Sequence, residues 1–205
     1  QTLEGWEDTL RNVLKLNPEH ISCYGLKVEE RTPLYQYKDA VNLPDDDLQA
    51  DMYLAAVDLL RSRGYRHYEI SNFAKSGFRS RHNLHTWQCR DYLGLGVAAH
   101  SCMNGVRFGQ SRDLEGFLAG KDITEFTEVL TPADRESEFI MLALRLSDGI
   151  EEEEFSRRFG HDFWHTYGCV CIPYIEMGLM GREGGRVFLT ERGFPVSNAV
   201  LAELI

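Results

Sequence analysis

The sequence lacks any apolar run near the ~20 residues that a helix needs to cross a bilayer, and no charged segment followed by an apolar h-region opens it. These absences remove a membrane span and a secretory leader from the expected architecture. A disulfide framework is also missing: the five cysteines (Cys23, Cys89, Cys102, Cys169 and Cys171) are odd in number and irregularly spaced, which fits a reducing cytoplasm better than an oxidising compartment. No basic stripe appears. Lys and Arg number 22 against 32 Asp and Glu, a net charge of −10, and such a balance repels a phosphate backbone, so no nucleic acid is expected as a partner. There is no internal repeat and no low-complexity segment, and the single charge run, Glu151 to Glu154, reads as the solvated N-terminus of a helix.

What is present is enough apolar material for a core: 43% of 205 residues, the amount expected of one or two globular domains. Gln1-Thr2-Leu3-Glu4 enters a helical pattern at once without an initiator methionine, and we expect a fragment whose preceding part belongs to the same fold.

Leu3, Trp6, Leu10, Val13 and Leu14 recur at helical spacing until Asn17-Pro18, and a strand-like run follows from His20 to Val28. Asp45, Asp46 and Asp47 open a second helix carrying Leu48, Met52, Ala55, Leu59 and Leu60, which Gly64 ends. Tyr65 to Ile70 alternates as a strand and turns at Ser71-Asn72. Helix and strand thus alternate, the pattern of a parallel α/β sheet whose site residues lie at the C-terminal strand ends. Ser76 to Asn104 breaks periodicity and is read as a loop plus a short strand over Tyr92 to Ala99.

The character changes at Thr131-Pro132-Ala133-Asp134, which combines an N-cap, a first-turn proline and an acidic third position. A helix to about Ser147 is expected there, then one carrying Phe155 and Phe159, and one with Phe163, Trp164, Tyr167, Val170 and Tyr174, separated by Gly149 and Gly160 and with a kink at Pro173. Leu179 to Leu189 reads as a hairpin turning at Gly184-Gly185, and Thr190 as the cap of a last helix ending near Leu204. This order describes a small, mostly helical, winged-helix-like domain, with the boundary between about Asp122 and Thr131.

Three pieces carry the most specific signal: Tyr68-Glu69-Ile70-Ser71-Asn72-Phe73-Ala74-Lys75, then Arg81-His82-Asn83-Leu84-His85-Thr86-Trp87, then Tyr92-Leu93-Gly94-Leu95-Gly96-Val97-Ala98-Ala99-His100-Ser101. In this order they resemble the radical-SAM oxygen-independent coproporphyrinogen III oxidase-like family, and within it the haem-chaperone branch. The resemblance extends over most of the chain. Thr86 stands where the family pattern has tyrosine, which removes an aromatic ring from that position. The family's C-x3-C-x2-C motif, whose thiolates hold a [4Fe–4S] cluster with one iron open to S-adenosylmethionine, has no counterpart here.

The resemblance implies a fold class of α/β: residues 1–125 as the C-terminal part of a radical-SAM, partial TIM-type barrel, and 126–205 as the family's C-terminal domain. It implies haem as bound cargo, haem-acceptor proteins such as respiratory enzymes as partners, and transient membrane association. Cluster and S-adenosylmethionine are expected only in an intact parent, and this chain alone is expected to lack radical activity. A half barrel leaves a sheet edge and apolar faces uncovered, so poor solubility or oligomerisation, a dimer included, is expected.

Among individual residues, His82 is the expected haem-iron ligand, since neutral imidazole is a common axial ligand and the Gly-Phe-Arg-Ser-Arg segment before it brings cationic groups toward propionates. The competing reading gives His82 and Asn83 the task of hydrogen-bonding a loop. His85 is a secondary ligand candidate. Trp87 either stacks on the porphyrin or belongs to the core. His100 either faces the cavity or is a satisfied buried histidine; Tyr68 and Glu69 sit at a strand end facing the same cavity. Gly94 and Gly96 permit close backbone approach to a ligand, but without a third glycine they do not indicate a dinucleotide. Cys169 and Cys171, two apart in a helix, point to different faces and form no metal clamp.

Haem handling is therefore the leading expectation and oxidative decarboxylation of coproporphyrinogen III the alternative. Nucleic-acid binding by the winged-helix-like tail comes last, because residues 151–178 offer only Arg157 and Arg158.

Overall fold

The computed structural model describes residues 1–38 and 40–205. Helix α1 (Leu3–Lys15) is capped by the Thr2 hydroxyl, which accepts the Gly5 N–H at 3.1 Å. It stops where Asn17 turns left-handed at φ 53°, a conformation asparagine tolerates better than most residues. Strand β1 (His20–Ser22) is much shorter than the expected run to Val28. Its partner supplies only three residues, so after the Cys23 N–H bonds to the Ser71 carbonyl at 2.8 Å there is no ladder left to continue.

A short α2 (Pro33–Gln36) precedes α3 (Asp46–Ser62), where the Asp45 carboxylate accepts the Leu48 N–H at 2.9 Å and Asp46 and Asp47 complement the helix dipole. Met52, Ala56, Val57 and Leu60 turn inward, and the Trp6 indole N–H of α1 donates to the Met52 carbonyl at 2.8 Å. Strands β2 (Arg66–Glu69) and β3 (Asn72–Ala74) are joined by two residues. So short a link permits only an antiparallel hairpin, and the sheet order is β1-β3-β2 with both pairings antiparallel. This corrects the expected parallel pairing: β1 and β2 run the same way, but β3 lies between them. Among the described residues every strand pairing is antiparallel.

The segment read as loop and strand is organised differently. A helix, α4 (Arg81–Trp87), is started by the Ser80 hydroxyl accepting the Asn83 N–H at 3.3 Å. Residues 93–99 are irregular, and Tyr92 contributes only a bridge to Cys102. The strand is instead β4 (His100–Met103), which begins at the histidine expected to end it. It pairs with β5 (Val106–Gln110), and after α5 (Leu114–Leu118) the strand β6 (Thr124–Val129) completes a second antiparallel sheet, β4-β5-β6.

Helix α6 (Pro132–Ala143) carries the expected capping box between Thr131 and Asp134. Then come β7 (Ile150–Glu151), α7 (Glu152–Phe159), α8 (Phe163–Glu176), β8 (Met180–Glu183), β9 (Arg186–Leu189) and α9 (Ser197–Leu204), the last preceded by a 3-10 turn over Phe194–Val196. The hairpin turns at Gly184 and Gly185 with φ of 59° and 74°, the pair of positive values that a type I′ turn demands. The expected Thr190 cap is corrected. Its hydroxyl donates to the Gly178 carbonyl at 2.8 Å and accepts the Gly193 N–H at 3.2 Å, holding the turn before Pro195, while α9 starts later without a side-chain cap.

Two cores result. One gathers Leu10, Ile21, Ala56, Val57, Leu60, Tyr65 and Phe73 between α1, α3 and the first sheet. The other packs Phe139, Leu144, Ile150, Phe155, Phe163, Val187 and Leu201 among α6 to α9 and the third sheet, each such burial stabilising by about 1.5–3 kcal/mol. They meet along the segment after α6: the Ile70 N–H donates to the Arg145 carbonyl at 2.9 Å and the Ser147 N–H to the Tyr68 carbonyl at 3.1 Å.

Candidate functional site

Tyr68 and Glu69 are the last residues of β2, where a register shift after His67 breaks the alternation, and both side chains lie near the face of the first sheet that carries His20, Ser22 and Asn72. They are 1% and 0% exposed. The Tyr68 hydroxyl lies 2.8 Å from His20 Nε2 and accepts the Ser80 N–H at 3.3 Å, and the Arg79 guanidinium sits 5.7 Å from its ring centroid. Burial pushes the Tyr68 phenol upward from its ordinary pKa and the His20 imidazole downward.

The Glu69 carboxylate accepts the Ser71 N–H at 3.3 Å through Oε1. Its Oε2 and the Trp87 indole nitrogen are both buried without a hydrogen-bond partner. Burial raises the Glu69 pKa, opposed by the Ser71 N–H, the Asn72 and Trp87 side chains and the charge of Arg145. The indole is thus near enough to favour the charged carboxylate while falling outside good hydrogen-bond geometry. Arg145 also lies 5.9 Å from the Trp87 ring centroid. Asn72 accepts the Ser22 hydroxyl at 2.5 Å.

Helix α4 carries Asn83 and Trp87 four residues apart on its half-buried inner side, whereas His82 is exposed. His85 is half-buried and its Nε2 is 2.8 Å from the Asp91 carbonyl. His100 is exposed on a different sheet, 5.4 Å from the Phe126 ring centroid. The expected residues therefore divide: Tyr68, Glu69 and Trp87 converge, Asn83 lies half-buried on the Trp87 side of α4, His82 reaches solvent from the same short helix, and His100 stands apart as an exposed residue. Trp87 is turned toward Glu69 and Arg145, the packed alternative rather than an open stacking platform. Gly94 does permit a close approach, but to protein: a Cβ there would lie 2.3 Å from the His100 carbonyl oxygen.

His20, Ser22, Asn72 and Arg145 complete the cluster and were not singled out from the sequence. Asn72 alone carried a signal, being part of the Glu69-Ile70-Ser71-Asn72 run. Among the described residues no group of three His, Cys, Asp or Glu side chains is disposed to hold a metal ion, so the residues present do not fit an iron–sulfur cluster. The thiols of Cys23, Cys89 and Cys171 are pushed up to about 11 by burial, which disfavours the thiolate that a metal requires. Cys169 is exposed where Cys171 is buried, on different faces of α8.

The chain is thus a mixed helix-and-sheet α/β unit joined to a mostly helical domain with a three-stranded wing. Residues 130–196 match the HemN C-terminal domain family. The solved coproporphyrinogen III oxidase (HemN) of Escherichia coli, a radical SAM enzyme, superposes with a TM-score of 0.74 over 98% of this chain and 51% of that chain at 16% identity, a likeness of fold. The heme chaperone HemW of Lactococcus lactis is 31% identical over all of this chain and 55% of its own length, and that of Haemophilus influenzae 38% identical over 76% and 41%. The mouse mitochondrial radical S-adenosyl methionine domain-containing protein 1 is 42% identical over 49% of this chain and 23% of its own length. Its C-terminal part thus belongs to the HemN C-terminal domain family, and along its whole length the chain is similar to proteins named heme chaperone HemW. It spans about half the length of the curated relatives it matches.

Proposed function

We propose that this chain is part of a haem chaperone, a cytoplasmic protein that binds haem and passes it to acceptor proteins such as respiratory enzymes. The observation that carries this reading is the similarity, along the whole chain, to relatives named heme chaperones. In it, residues 1–125 form the barrel part and 126–205 the C-terminal domain, a division that β6 straddles and that lies just before the matched region beginning at residue 130.

His82 is the proposed iron ligand. Its ring is exposed on a short helix that Ser80 caps, so an iron centre can approach without unfolding anything. The neighbouring exposed Arg81 would meet a propionate. Asn83 and Trp87, with Tyr68 and Glu69 beneath them, act by holding α4 in place; His100, on the second sheet, would contact a bound macrocycle only from a separate direction. The cluster and S-adenosylmethionine belong to other parts of such proteins, where they supply reductive radical chemistry. Among the described residues no helix is long and apolar enough to cross a membrane, and a membrane encounter on delivery would be transient. The net charge of −10 argues against nucleic acid, and oligomerisation, a dimer included, belongs to the same reading.

Titration of the chain with haem, followed at the Soret band, tests this. A saturable shift that His82→Ala abolishes supports the chaperone reading. Binding by neither protein favours the second reading, coproporphyrinogen III oxidation, to which the likeness of fold to the Escherichia coli oxidase also points.

A further inference from the structure

We propose that the cleft between α3, β2 and the turn after β9 is a binding site for a small phosphate-class oxyanion, seated by Arg66 and Arg79. This inference does not depend on haem binding.

The cleft has a volume of about 300 Å³, and its walls include Arg61, Arg66, His67, Arg79 and Glu191. Three guanidiniums and the Glu191 carboxylate line it, with Asp58 and Asp148 paired to Arg61 and Arg79 at its margin, so the Arg66 charge is left unmatched among the described residues. The guanidiniums come from three places, the end of α3, the start of β2 and the segment before α4, so only the folded chain assembles them. Arg66 is exposed and makes no ion pair or side-chain hydrogen bond among the described residues. Arg79 holds Asp148 at 3.2 Å through one nitrogen, leaving the rest of its fork unused. Arg61 is occupied by Glu191 and, at 3.3 Å, by Asp58.

Guanidinium forks match the geometry of phosphate oxygens and bind them bidentately. His67 is wall rather than ligand, because its nitrogens already face the Tyr53 hydroxyl at 2.9 Å and the Ser147 hydroxyl at 3.3 Å. The volume lies at the lower limit for small-molecule sites, which suits phosphate or pyrophosphate and excludes a porphyrin. A second cavity of about 240 Å³ shares His67 and Glu191 as walls and is lined beyond them by Phe188 and Phe194. An apolar or aromatic group attached to the phosphate would extend there. The shared chemistry is the phosphate; a free anion and a nucleotide are its two sources.

Glu191 makes the proposal testable in both directions, since it is a built-in competitor for Arg61. Calorimetric titration of the chain with inorganic phosphate, pyrophosphate and ADP should show saturable binding of at least one. Arg66→Gln should weaken it by about tenfold and Glu191→Gln should tighten it several-fold, with circular dichroism confirming that both surface variants fold. A merely structural Arg61–Glu191 pair would alter stability without raising affinity. Tighter binding of ADP than of pyrophosphate supports the site with a nucleotide as its source; equal or weaker ADP binding supports it with the free anion. No saturable binding up to about 10 mM, or affinities that neither variant changes, or a loss of affinity in Glu191→Gln, overturns the proposal.

Discussion

Lowering the pH from 7 toward 4 is expected to destabilise the chain through His67, which the two cores close upon. The imidazole lies between the rings of Phe73 and Phe194, at centroid distances of 4.9 and 4.8 Å, with the Tyr53 and Ser147 hydroxyls on its nitrogens. Burial lowers its pKa from 6.5 to about 4, with the charge of Arg61 adding to the effect and hydrogen bonds to the Ile70 and Glu69 backbone opposing it. In the unfolded chain His67 takes up a proton near 6.5, whereas in the folded chain it does so only near 4. Its contribution to stability is therefore complete above pH 6.5 and is lost progressively as the pH falls to about 4. At ~1.4 kcal/mol per unit the loss approaches about 3 kcal/mol, a substantial share of the roughly 5–15 kcal/mol that holds a domain folded. Urea unfolding at pH 7.0, 5.5 and 4.5 measures it, and His67→Gln separates it from His20, whose pKa burial also lowers. The window between 6.5 and 5 is the informative one, because exposed carboxylates begin to titrate below it. A wild-type midpoint unchanged across that window, or an imidazole resonance of His67 titrating near 6.5, would refute the reasoning.

Glu69 gives the opposite sign. Its pKa is raised, so its contribution is present below the unfolded value of about 4.3 and lost as the pH rises through the folded value; Glu69→Gln should leave the urea midpoint at pH 7 equal to or above wild type, and a marked fall would contradict the assignment. Phe155 is 0% exposed, with the rings of Phe159 and Phe163 at 4.8 and 5.1 Å. Phe155→Ala should lower stability by about 3–5 kcal/mol, and thermal unfolding that loses less than about 1 kcal/mol would show that the site collapses to fill the gap.

Where the determinants of an element are local, the sequence was enough to find it. Asp45 caps α3, Thr131 and Asp134 form a reciprocal box at α6, and paired glycines turn the last hairpin, each through groups no more than four residues apart. Elements set by distant partners were not legible. Strand β6 is exposed along its whole length, so it shows no alternation and exists only because β5 pairs with it. Strand β3 is buried at all three positions and likewise has no period to read. Helix α4 did carry a local signal, the Ser80 cap, but the surrounding Gly, Arg and His residues obscured it.

The same distinction governs how the site must be tested. Tyr68 and Glu69 stand out in the sequence as a motif, but the fold puts them at the seam where backbone bonds from Ile70 to Arg145 and from Ser147 to Tyr68 join the two cores. Truncating Tyr68 removes the hydroxyl that accepts the Ser80 N–H at the start of α4, and truncating Glu69 to alanine leaves a gap beside Trp87, so either change would loosen α4 before any ligand is considered. Lost haem binding in such a variant would therefore not distinguish a contact residue from a support. His82 differs because its side chain is exposed and contributes nothing to either core. If His82→Ala keeps the stability of the parent and loses the Soret shift, the loss must come from the imidazole itself.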